Sequence, residues 1–128
     1  MPSPYQYFTL DELACKGINC CHGQASMDEN FMDKITIIRR ELDFPFVISS
    51  AYRCPIHNQE VSTTGPQGPH TTGKAIDILV HHVQAYLLLE AAMLSGMFTG
   101  VGINQKGNWE NRFIHLDDIP GENRIWTY

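Results

Sequence analysis

Apolar positions along the chain fall into two periods. From 27 to 42, Met27, Phe31, Ile35, Ile38 and Leu42 recur at three- and four-residue intervals, which predicts a helix with one buried stripe. Ser26 followed by Glu29 forms a capping-box pair at its start, and Thr9 followed by Glu12 forms another before "LDELAC" (10–15). The second pair predicts a short helix ending near Gly17. "VQAYLLLEAAML" (83–94), stopped by Ser95 and Gly96, reads as a further helix. Between and after these the period shortens. "PFVISSAY" (45–52), "KAIDILV" (74–80), "TGVGI" (99–103), "RFIHLD" (112–117) and "RIWTY" (124–128) read as strands separated by turn-like residues. Residues 53–73, rich in Gly, Pro, Ser, Thr and Asn, predict a long irregular stretch, and a loop of that length in a small domain is commonly functional. The pattern predicts an α+β fold: N-terminal helices packed on a small, mainly antiparallel sheet interrupted by one helix.

Composition narrows the class without changing that outline. A chain of 128 residues that is 43% hydrophobic and 18% charged suits a single globular domain spanning 1–128. The net charge of −5 disfavours a partner held through its phosphate backbone, so no nucleic acid is expected. No apolar run is long enough to span a membrane. The first residues lack a basic start followed by an apolar stretch, so no secretory signal is expected. Cys15, Cys20 and Cys21 lie with His22 within eight residues, and Cys54 stands apart. Their spacing matches no paired C-x2-C zinc site, which leaves free thiols, a disulfide to Cys54 or a metal knuckle open.

One position resists a purely structural reading. Asp77 interrupts the apolar run "AIDILV", and an isolated carboxylate there is costly to bury without a cation or donors opposite it. Strand alternation puts Ala75, Asp77 and Leu79 on one face and Ile76, Ile78 and Val80 on the other. In the later strand Phe113, His115 and Asp117 share a face, with Arg112, Ile114 and Leu116 opposite. If the two strands pair, Asp77 and His115 meet on one surface with His70 above it from the loop. Two imidazoles and a carboxylate make a three-ligand zinc site with an open fourth position.

"SSAYRCPIHN", "GPHTTGKAIDI" and "GVGI…RFIHLD", in that order, resemble the M15 family of zinc D,D- and L,D-peptidases, and more narrowly its small branch of phage endolysins and bacterial cell-wall endopeptidases. The pattern S-x-x-R-x-x-x-H/Y-N falls on Ser50, Arg53, His57 and Asn58, the H-x6-D pattern on His70 and Asp77, and the late strand His on His115. Phe8, Glu12 and Cys15 match the branch's opening motif. The resemblance implies a hedgehog/D,D-peptidase-like fold and Zn²⁺ held by His70, Asp77 and His115. It further implies that Arg53 binds a substrate carboxylate or a developing oxyanion, with Ser50 and His57 as substrate contacts. The implied partners are peptidoglycan stem peptides, met by a monomer. For a phage lysin, the implied location is the host cytoplasm, then the periplasm or cell wall.

Two positions depart from that pattern. Gly68 stands where the family often has Ser, and Arg112 stands three before the last His, where better-known branches carry an acidic general base. Asp117, on His115's face, is the expected replacement, with Glu110 second. The departure at Arg112 also sustains a second expectation, a non-catalytic zinc-containing binding module of the same fold.

Overall fold

A computed structural model describes residues 3–128. Its elements run α1 (Leu10–Leu13), α2 (Glu29–Leu42), β1 (Val47–Ser50), α3 (Pro55–Val61), β2 (Ala75–Leu79), α4 (His82–Ser95), β3 (Gly100–Asn104), β4 (Phe113–Asp117) and β5 (Arg124–Thr127), with 3₁₀ turns at Pro69–Thr72 and Trp109–Asn111. The strands form a five-stranded sheet in the order β1-β2-β4-β3-β5. Every neighbouring pair is antiparallel except β3 with β5, which is parallel, so the sheet is mixed.

The sheet divides the molecule by face. Ile76, Ile78, Ile114, Leu116 and Val101 project to one side and pack against Phe31, Met32, Ile35 and Ile38 of α2 and Leu88 and Ala92 of α4, all buried. That side is the core, and burial of apolar area there is the main favourable term in folding. The opposite face carries the chemistry. Asp77 pairs with His115, Gly102 lies across from His115 and Trp126, and Gly100 across from Asp117 and Arg124.

Several boundaries differ from the sequence expectation, each for a local reason. Helix α2 starts later than expected, because the Asp28 carboxylate accepts the Phe31 N–H at 2.9 Å and takes the N-cap role assigned to Ser26. β1 is shorter than 45–52 and breaks register between Ile48 and Ser50, a bulge that brings Ser50 opposite Asp77. The stretch 53–73 is not wholly irregular, since it contains α3 and a 3₁₀ turn. Helix α3 opens with Pro55 at its first position and uses Cys54 Sγ as its cap, a residue outside the usual capping set. With Ile56 and Val61 both exposed it has no apolar stripe to betray it.

Candidate metal centre

The three expected ligands converge. Asp77 on β2 and His115 on β4 are direct cross-strand partners, and the 3₁₀ turn after Pro69 swings His70 over them. Asp77 Oδ1 lies 2.9 Å from His115 Nδ1 and 3.3 Å from His70 Nε2. One donor atom from each residue lies within 4.8 Å of the others. All three residues are buried.

What surrounds the imidazoles decides which nitrogens are free. His70 Nδ1–H donates to the Ala51 carbonyl at 2.7 Å, which leaves the Nε2 lone pair aimed at Asp77. His115 Nε2–H donates to Asp117 Oδ2 at 2.8 Å, which leaves Nδ1 facing Asp77. Two lone pairs and a carboxylate thus point at one space, each far nitrogen held by an oxygen acceptor. That donor set suits a divalent cation, and a partner behind each imidazole is the usual arrangement in metal sites. When no cation fills that space, protons on the facing imidazole nitrogens take its place: burial alone would push Asp77 up, but hydrogen bonds from protonated His115 and His70 outweigh it and hold the carboxyl well below the usual range. Burial pulls His115 down, and its bonds to Asp117 and Asp77 reverse that and raise it.

Arg53 stands beside the centre. Its Nε donates to Ser50 Oγ and its Nη1 to Asn58 Oδ1, each at 3.1 Å, and Nη2 lies 3.8 Å from Asp77 Oδ2. Asn58, buried on α3, spends its own amide on Thr64 Oγ1 and the Gly65 carbonyl. The guanidinium is therefore held at two corners with its remaining edge on the cleft. That cleft has a volume of about 630 Å³, and Arg53, His70, Asp77 and His115 line it together with Phe113, Arg124, Trp126 and Tyr128.

The other expected site residues fall elsewhere. Asp117 does not reach the cleft: it has no exposed surface, and its carboxylate is occupied by His115, the Ile119 N–H and the Arg124 guanidinium. Burial raises its pKa, but those partners, His115 first, bring it below the ordinary value, so it is an anion without access to a cleft water. The geometry places Asp117, the expected general base, behind His115 rather than on the cleft wall. Glu110 sits exposed in the second 3₁₀ turn, off the cleft wall. Arg112 reaches the Gly107 carbonyl at 3.0–3.1 Å. Ser50 holds Arg53 and does not line the cleft, and His57 lies against Gly17 and Cys20, away from it. Neither expected substrate contact lines the cleft. Among the described residues, Asp77 is the one carboxylate lining the cleft. The aromatic wall of Phe113, Trp126 and Tyr128 was missed, although alternation along "RIWTY" places Arg124, Trp126 and Tyr128 on one face.

A mixed sheet thus carries α2 and α4 on one face and a two-His, one-Asp candidate metal centre on the other. The family model described as Peptidase M15 matches residues 6–117, most of the chain, and the chain belongs to that family. No curated protein matches the chain significantly.

Proposed function

We propose that the chain is a zinc-dependent peptidase that cleaves the stem peptides of peptidoglycan, acting as a monomer at the cell wall in the manner of an endolysin or cell-wall endopeptidase. One observation carries the reading: His70 Nε2, Asp77 and His115 Nδ1 converge at the base of a cleft with the opposite imidazole nitrogens pinned. These three residues would hold the metal. Zinc bound there supplies Lewis acidity toward a carbonyl oxygen and lowers the pKa of a bound water to about 7.

The remaining roles belong to the chain's own side chains. Arg53, fixed by Ser50 and Asn58, offers donors either to a stem-peptide carboxylate or to the charge developing on the scissile carbonyl. Trp126 and Tyr128 give the peptide an apolar wall to lie against. Asp117 holds His115 in its tautomer. No side chain is assigned as general base, because the one carboxylate on the cleft is Asp77. That same absence is the observation favouring the second reading, a non-catalytic module that keeps the site for binding.

Purified peptidoglycan incubated with the protein, with and without chelator, decides between them. New amino and carboxyl termini, identified by mass spectrometry and abolished by chelator, are expected, and they name the bond as D,D or L,D. Intact peptidoglycan in the presence of zinc-loaded protein overturns the peptidase reading.

A further inference from the structure

We propose that Cys15, Cys20, Cys21 and Cys54 bind a second zinc ion, a closed structural site that staples the N-terminal segment to the loop carrying Arg53. It stands independently of the peptidase reading, since none of its ligands touches the cleft.

The four sulfurs lie within 4.8 Å of one another, with Cys15 to Cys20 at 3.9 Å and Cys20 to Cys21 at 3.8 Å. Four thiolates placed tetrahedrally around zinc at ~2.3 Å have their sulfurs about 3.8 Å apart. All four thiols are free. Backbone donors already point at two of the sulfurs, Cys54 N–H at Cys15 Sγ and His57 N–H at Cys54 Sγ, each at 3.4 Å. Such N–H donors stabilise thiolate charge around a metal.

The segment between α1 and α2 needs a staple. It contains no helix or strand, and it turns through positive φ at Asn19, His22 and Gly23. Gly17 closes the turn over the sulfurs: a Cβ there would stand 2.5 Å from Cys20 Sγ and 2.8 Å from the His57 ring. While Ala25 and Met27 at the segment's far end reach the main core, its cysteine-bearing part packs in a small cluster of Cys15, Tyr52 and Cys54, with Cys20, Cys21 and Met27 against it. So few apolar atoms bury little area, whereas a structural zinc contributes folding free energy directly. Four cysteines leave no open position, so the site is structural rather than catalytic.

The location gives the ion a consequence. Cys54 follows Arg53 in the chain and caps α3, which carries Asn58. Tyr52 N–H bonds to the Leu13 carbonyl at 3.1 Å, so the same short stretch ties the N-terminal helix to the arginine loop. A metal at these sulfurs fixes both the backbone of Arg53 and the helix whose Asn58 anchors its guanidinium.

Metal analysis of the full chain, paired with thiol titration in denaturant, tests this. About two zinc per chain and all four thiols titratable are expected. His70→Ala should lose one equivalent and keep the other, and Cys20→Ser with Cys21→Ser should do the reverse. Because the cysteine variants can misfold, cobalt substitution of the unmutated chain supplies a second readout, a sulfur-to-cobalt charge-transfer band in the near ultraviolet that the His/Asp centre cannot produce. Missing thiols, no such band, zinc retained in full by the cysteine variant, or iron in place of zinc each overturn the proposal.

Discussion

Arg53 and Asp117 are both charged, both near His115 and Asp77, and separated in role by which side of the imidazole they occupy. Arg53 uses two corners of its fork on Ser50 and Asn58 and keeps an edge for the cleft. Lys at that position keeps the charge but cannot make both anchors and still present a donor. Arg53→Lys is expected to retain bound metal and lower kcat/KM by ~10²- to 10³-fold, the usual cost of one oxyanion donor. Asp117→Asn leaves one acceptor but turns an amide toward Arg124 or His115, two donors that need an anion. Its expected effect is a metal affinity ~10- to 100-fold weaker, with the activity lost at low zinc recovered as zinc is raised. A metal titration read alongside turnover separates the two, and unchanged affinity with an unrecoverable loss would return Asp117 to the general-base role.

At the scale of elements, the pairing of β3 with β4 makes room for the centre. Gly100 lies opposite Asp117, and a Cβ there would stand 2.2–2.4 Å from the carboxylate atoms. The carboxylate cannot retreat, because His115, Arg124 and the Ile119 N–H hold it. Gly100→Ala is therefore expected to destabilise the fold by ~1–3 kcal/mol through overpacking and to weaken metal binding with it. Denaturant midpoints and metal titration on the same variant check both halves. Helix α3 shows the complementary case. Its seven residues have no apolar stripe, and tertiary contacts hold it, with Asn58 buried and bonded to Arg53, Thr64 and Gly65.

For the whole molecule, the sheet separates a core face from a site face, so the cleft can carry buried charge without interrupting the apolar packing under α2 and α4. The cost is a cluster of buried polar groups whose balance depends on a cation. A ligand that binds only the folded state at a thousandfold its Kd stabilises by about 4 kcal/mol. Stripping metal with a chelator should accordingly lower Tm by on the order of 10 °C for a domain of this size, reversed by added zinc. An unchanged Tm after verified loss of all metal would mean that neither metal site contributes to the fold.

Periodicity by itself determined α2 and the two faces of the strands, because burial of a stripe or a face imposes its period on the residues, whereas α4, apolar on every side, was marked by its length and its Ser95-Gly96 stop. It also put Asp77 and His115 each on a definite face of its own strand, and the β2–β4 pairing then brought the two onto one surface. Which nitrogens of His70 and His115 are free, and that Asp117 lies behind an imidazole rather than before a water, depended on contacts from Ala51, Arg124 and Gly100, residues distant in the chain. The meeting of Cys54 with Cys15, Cys20 and Cys21 likewise required the chain to fold back across 33 residues or more. Local pattern encodes what each residue must bury; only the tertiary structure decided what each polar group meets once it is there.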